Sequence, residues 1–481
     1  MNVVPLVEQP TWIDHANLET RRFDPLYYDP ALTIAECLCK AGGKLTWKRL
    51  HEVTTDIYSF GAYELTNRIR FVEPGPNTVP FINVTEIGNL YVDIGQARHI
   101  DVASHRLLHK SVCFPGTVLL SMSGSIGRVA VVPGCVKECN SNQHLAKIVV
   151  DDEESDPYFI AAYFASSIGQ ASCNREAAGA VQKELYLYNI SSLPIPDIPR
   201  PLRLAIGNKV RAAEQLRTAA GLAWNTTQDT VLRLLSDVSL VRTNRCTFSY
   251  VSTALTSRRI DADYYRDDDL VIRDALLRLG FVPLATQCEF IQSGNTLRNP
   301  YGSFQIVGVA SLRTPVIKPS SEGYTATASA IRLQPGDILL CNAAHDSSFI
   351  GRLNSVVGET TNLVPSSEVT VCRPKIASHG LVIAHFLNTS LGYLQIQRAV
   401  RGMTAHLYPD DLGEVLVPPF KNDYNGWISK LVDLTVGWRR AESLVNEAVD
   451  DVGKLIKGCL DEAECIEQGW QLADEFSLER L

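Results

Sequence analysis

Two stretches of the chain carry apolar positions at alternating spacings of four and three. After Pro201 the series is Ile206, Val210, Ala213, Arg217, Ala220, Trp224, Thr227, Val231, Leu234 and Val238. After Pro419 it is Trp427, Leu431, Leu434, Trp438, Ala441, Val445, Ala448, Val452 and Leu455. That spacing averages to the seam of a left-handed coiled coil, about 3.5 residues per turn. It predicts two helices of about thirty-five residues, roughly 50 Å each at 1.5 Å per residue. Arg217 and Thr227 weaken the first seam, and Gly221 and Gly437 cost each helix about 1 kcal/mol against alanine. Two unrelated amphipathic helices, each packed on its own domain, are the alternative. The two series coincide when shifted by 214 positions, with Trp224 on Trp438, and that shared register favours related helices.

Ahead of each helix the pattern is short and β-rich. Runs at 79–84, 117–122 and 128–132, and again at 304–309, 337–340 and 368–371, are rich in β-branched or other apolar residues and bounded by Gly, Pro or Asn, which predicts strands. Helices are expected at 157–168 and 378–391. The class is α+β, a twisted sheet or small barrel with helices at one end.

The chain also repeats itself. Arg21-Arg22-Phe23-Asp24-Pro25-Leu26-Tyr27-Tyr28 returns as Arg258-Arg259-Ile260-Asp261-Ala262-Asp263-Tyr264-Tyr265, and Pro115-Gly116-Thr117-Val118-Leu119-Leu120 returns as Pro335-Gly336-Asp337-Ile338-Leu339-Leu340. Ser167-Ile168-Gly169 and Gly179 return as Ser390-Leu391-Gly392 and Gly402, and Leu193-Pro194-Ile195-Pro196 matches Leu416-Val417-Pro418-Pro419. Order is kept while the offsets drift, as two diverged copies of one domain would show. Two copies of this size exclude a solenoid. The expected division is a first globular domain at 1–200, a central helix at 201–240, a second globular domain at 241–420, a C-terminal helix at 421–460 and an acidic tail at 461–481.

Composition narrows the class. With 481 residues, 45% apolar and 20% charged, the chain has material for real cores and is not of the disordered or collagenous kind. No apolar run approaches the roughly twenty residues of a membrane-spanning helix. No basic-then-apolar leader opens the sequence. Twelve cysteines without a CxxC pair fit reduced thiols and a cytoplasmic location. The net charge is −8. Seven acids against Arg480 give the last 23 residues −6, leaving −2 over the rest, a near-neutral body that can carry a basic cleft.

Enzymatic signatures are mostly missing. Gly42-Gly43-Lys44 is followed by Leu45 and lacks the hydroxyl of a phosphate loop. Asn299-Pro300-Tyr301-Gly302 reads as a turn rather than a base-methylating motif. No Glu-x-Lys follows Pro196-Asp197 or Pro409-Asp410, as a common metal-dependent nuclease would require. Cys37 with Cys39, and Cys135 with Cys139, lack zinc partners at suitable spacing. No metal site and no catalytic residue is expected.

Several segments instead have the character of a reading surface. Ser121-Met122-Ser123-Gly124-Ser125-Ile126-Gly127-Arg128 places Ser123, Ser125 and Arg128 around a glycine turn that can approach a phosphate. A plain tight hairpin, or a GxxG clamp on single-stranded RNA, are the other readings. The second copy, 341–352, brings Asn342, His345 and Arg352. Asn142, Gln143 and His144, with Lys147, can address base edges or phosphates, or simply satisfy a loop backbone. The loops 179–186 and 401–408 correspond, and supply Gln182, Lys183 and Tyr186, then Arg401, Thr404, His406 and Tyr408. Arg175 and Arg398 precede them.

Those residues also carry a family resemblance. The runs PGTVLLSMSGSIGRVAVVP, NQHLAKI, DPYFIAAYFASSIGQ and GAVQKELYLYNISSLPIP, with the plan of two globular repeats each followed by a long helix, resemble specificity subunits of type I restriction-modification enzymes. The resemblance covers about residues 20–460. The second repeat departs from it at CNAAHDSSFIGR and TNLVPSSEV. It implies two target-recognition domains, each reading half of a bipartite double-stranded DNA target. The joining helices would be an antiparallel coiled coil that docks two methyltransferase subunits through Val210, Ala213, Trp224, Val231, Leu234, Trp427, Leu431, Leu434, Trp438 and Val445. Motor-nuclease subunits can join such complexes. The chain itself would hold no cofactor; S-adenosylmethionine would sit in the partner. Alternatives are a recognition subunit of another methylation-linked phage-defence system and a coiled-coil adaptor that binds no DNA.

Overall fold

In the computed structural model, which describes residues 25–41, 45–60, 68–179, 183–233, 264, 267–295, 302–313, 316–317, 325–326, 331–358, 362–402, 404–419 and 425–478, the chain forms two compact units. One comprises residues 1–219 and 437–481, the other residues 220–436.

The first unit is organised by strands buried on both faces. Val118–Ser121 is covered throughout, and its side chains alternate. Val118 and Leu120 join a core with Phe159, Ile160 and Tyr163, while Leu119 joins a second core with Ile82, Cys113, Ala130 and Cys139. Side chains of a strand point to opposite faces in turn, so an unbroken apolar run is what a strand between two cores requires. The sheet runs in the order Thr54–Tyr58, Leu145–Val150, Val118–Ser121, Val129–Val131, Leu90–Tyr91. In a second sheet Thr78–Ile82 lies parallel to Cys139–Ser141.

The second unit repeats this order: Cys288–Ser293, Val369–Pro374, Ile338–Cys341, Asn354–Val356. Phe304–Val307 again pairs in parallel, with Leu363–Pro365. Among the described residues the strand orders are open, so the sheet alternative describes the fold there and a closed barrel does not.

Each predicted helix at 157–168 and 378–391 is the start of a pair: Pro157–Ala165 with Ser167–Glu176, and His379–Leu387 with Ser390–Ala399. The break comes from a hydroxyl cap. Ser166 Oγ accepts from Gly169 N and Thr389 Oγ1 from Gly392 N. At both glycines a Cβ would run into the backbone of the preceding helix, at Tyr163 O and Phe386 O respectively. That close approach explains the repeated Gly169 and Gly392.

The long helices are Arg200–Arg233 and Asn425–Ile456. Within the first unit Lys209 Nζ donates to Asp451 Oδ2 at 2.7 Å and Arg217 Nη2 to Glu442 Oε1 at 2.6 Å. As numbers rise on one helix they fall on the other, so the segments run antiparallel. Ile206, Val210, Ala213, Ala441, Val445, Ala448 and Val452 are buried between or beneath them. Arg217, the apparent flaw in the seam, uses both of its terminal nitrogens: Nη1 donates to Asn89 O as Nη2 does to Glu442, and the guanidinium lies over the Tyr91 ring.

The acidic tail folds as a third helix, Glu462–Phe476. Cys465, Gly469, Leu472 and Ala473 form its buried stripe. A Cβ at Gly469 would collide with Ala205. Gln468 Oε1 accepts from Lys209 Nζ at 2.8 Å, and Arg440 donates to Glu475 at 2.6 Å.

Candidate nucleic-acid interface

Three loops of the first unit meet at one end of the buried strand Val118–Ser121. Met122 N donates to His144 O and Leu185 N to Met122 O, both at 2.8 Å, and Ser123 bridges to Glu184. Gly124 and Gly127 have φ of +72° and +83°, the left-handed region open to glycine. Ser121 Oγ closes the turn, donating to Ser125 O and accepting from Arg128 N.

Much of the polarity here is consumed locally. Ser123 Oγ shares a 2.6 Å hydrogen bond with His144 Nδ1, and Gln143 Nε2 lies 3.2 Å from His144 Nε2. Asn142 accepts from His144 N and donates to Asn83 Oδ1. Among the described residues of these loops, Gly124, Ser125, Arg128, Gly179, Lys183 and Tyr186 are exposed.

The second unit assembles the same three loops. Leu407 N donates to Asn342 O as Leu185 does to Met122, and Asn342 N donates to Glu368 O. Asn342 itself is buried, its amide donating to Ser293 Oγ, Ser367 O and Thr370 Oγ1. His345, Arg352, Arg401, Thr404 and Tyr408 are exposed and His406 is half-buried. Arg352 lies over the Phe349 ring, and Arg401 over Tyr408 while pairing with Asp411 at 2.8 Å.

Four of the expected contacts, Ser123, Lys147, Arg175 and Asn342, are buried, and a fifth, Arg398, is half-buried. Lys147 is fully buried, its Nζ donating to Asn142 O at 3.3 Å, and burial pushes its pKa down to about 8. An ammonium sealed in the core cannot meet a phosphate. Arg175 is buried over the Tyr27 ring and donates to Tyr27 O and Glu176, and Arg398 lies over Tyr264 and donates to Tyr264 O. The two arginines are equivalent clamps on the repeated tyrosines. Gln182 lies outside the described residues, as do 21–24, 42–44, 258–263, 299–301 and Leu234.

The seam residues expected to dock a partner are largely used within the chain. Val210, Ala213, Leu431, Leu434 and Val445 are buried. Trp438 meets Tyr91 edge-on at 6.3 Å, and Trp224 meets His385 edge-on at 4.2 Å. His385 Nε2 donates to Trp224 O, and burial lowers its pKa to about 4. The side chains of Val231 and Trp427 lie outside the described residues. The long helices expose other apolar groups: Leu222, Val432 and Val436. They fall between the positions of the four-three pattern, which is why the seam does not reveal them.

Among the described residues no helix is long and apolar enough to cross a membrane, and no cluster of His, Cys, Asp and Glu is suited to a metal ion.

No protein-family model matches the chain, and no curated protein matches it. Among solved structures it is similar to a type I restriction-modification S subunit from M. genitalium, with 12% identity and a TM-score of 0.32 over 90% of this chain and 98% of that one. It is similar to the HsdS subunit from Thermoanaerobacter tengcongensis, with 16% identity and a TM-score of 0.28 over 90% and 96%. A chain from a structural study of type I restriction-modification complex assembly gives 14% identity and a TM-score of 0.29 over 88% and 97%.

Proposed function

We infer that this chain is the DNA-reading specificity subunit of a type I restriction-modification enzyme, each globular unit reading one half of a bipartite target. The observation that carries the reading is the duplicated loop cluster. The same strand order, repeated in both units, presents the same three loops, while the residues on them differ. A fixed scaffold with changed loops is what two readers of different half-sites need, because base edges are addressed by side chains while phosphate contacts set position.

In the first unit Arg128 and Lys183 supply exposed charge for the backbone, and the Gly124 turn allows close approach. In the second, Arg352 and Arg401 take that part, with His345, Thr404 and His406 beside them. The long helices form the antiparallel coiled coil that receives two methyltransferase subunits. Their exposed Val432 and Val436, one turn apart, and Leu222 offer the apolar contact. Adenine methylation and any cleavage are carried by those partners and by a motor-nuclease subunit, with S-adenosylmethionine held in the methyltransferase.

The test is methylome sequencing of the host with and without this gene. Loss of methylation at one split motif supports the reading. Methylation unchanged at every motif overturns it, and a partner recovered without sequence-dependent DNA binding would mark a protein-only adaptor.

A further inference from the structure

Each of the two loop clusters carries a pair of stacked aromatic rings. Tyr186 and Tyr188 stack with ring centroids 5.8 Å apart and planes only 7° from parallel. In the second unit His406 and Tyr408 stack at 6.1 Å and 27°. The other ring pairs described meet at 56° or more. Both parallel pairs lie at the surface, with Tyr188 69% exposed, Tyr186 42% and Tyr408 46%.

Tyr186 and Tyr408 are equivalent positions. Each follows the leucine whose N–H closes the loop cluster, and each precedes a short helix, Leu187–Ser191 or Pro409–Gly413. Their stacking partners are not equivalent. The first unit uses the residue two places later, Tyr188, where the second unit has Asp410. The second uses the residue two places earlier, His406, where the first has Glu184. The same surface has thus been built twice from opposite sides of one tyrosine. A packing role alone does not account for that, since Tyr188 buries little and large exposed rings are costly to leave in water.

Resting on the DNA-reading assignment, we propose that each ring pair is a stacking platform for a nucleobase displaced from the duplex stack at the edge of its half-site. Every base offers a π-face, and parallel aromatic rings beside basic residues receive it without regard to its edge. Lys183 in one cluster and Arg401 in the other supply the neighbouring charge.

The experiment uses the full chain in the complex in which it purifies. It is titrated with a short fluorescent duplex carrying one unpaired thymine and with the fully paired counterpart. The wild type is expected to prefer the bulged duplex. Tyr188→Ala is expected to weaken that binding by about five- to a hundredfold, while Tyr188→Phe retains it. The salt slope should be the same in all three, because no charge is removed. Wild-type affinity of Tyr188→Ala for both duplexes overturns the platform and leaves DNA reading intact. Failure of the wild type to bind either duplex overturns the reading and the platform together.

Discussion

Lys209 offers the sharpest test of how the helices are held together. It is almost completely buried, with its ammonium 2.7 Å from Asp451 and 2.8 Å from Gln468. It thereby joins the two long helices and the helix of the tail. Lys209→Met keeps the stem and removes the charge, leaving the Asp451 carboxylate buried without its cation. Breaking a buried pair in this way costs about 3–5 kcal/mol. Replacing both partners, as Lys209→Met with Asp451→Leu, removes the stranded charge as well and is neutral or stabilising by about 1–4 kcal/mol. Hydrogen exchange of amides in 205–213 and 445–455 measures this locally, which suits a chain of two units that need not unfold together. The single variant should lose protection by roughly a hundred- to several-thousandfold, at about 1.4 kcal/mol per decade. The double variant should recover it. A single variant within threefold of wild type, or a double variant as exposed as the single, would refute the argument.

Lys183→Glu should weaken DNA binding and shallow its salt dependence by about one unit of slope, whereas Arg175→Ala should leave the slope alone and lower stability by about 3 kcal/mol as the Tyr27 clamp opens; titrations at several salt concentrations beside thermal melts separate the two. Val432→Asp with Val436→Asp should reduce co-purification of the methyltransferase while melting of the variant stays near wild type, since both side chains are already half-exposed. The pH dependence of Lys147 has a definite sign. Its folded pKa is pushed down to about 8, while a lysine in the unfolded chain keeps its proton to about 10.4. Between those values unfolding takes up a proton, so stability gains up to about 3 kcal/mol as pH rises through the window. Denaturant melts from pH 7 to 10 should show that gain in wild type and not in Lys147→Met, which should be the more stable protein at pH 7.

The elements most legible in the sequence were those where one physical constraint dominates. Val118–Ser121 and Ile338–Cys341 read as strands because both faces are covered, and the long helices because a seam must repeat every turn. The split after Ala165 was hidden: the apolar run continues through it, and a capping hydroxyl breaks the helix where no proline stands. The tail's acid count masked the stripe Cys465, Gly469, Leu472, Ala473, which has helical spacing. Lys147 read as a surface residue because it follows Asn142, Gln143 and His144, yet the strand that carries it lies between two cores. Arg175 and Arg398 showed their equivalence in sequence but not their purpose, since a clamp over a tyrosine and a phosphate contact ask for the same side chain. Tyr188 left one trace, the Tyr-Leu-Tyr run, and Leu222, Val432 and Val436 left none.

The most direct measurement is a domain exchange read by methylome sequencing. Residues 1–200 are replaced by the corresponding domain of a subunit with a different target, and the methylated motif is mapped in cells that supply the partners. Independent reading predicts that one half of the motif changes to the donor's and the other half stays as it was. A motif altered in both halves, or one that ignores the exchange, would contradict the account.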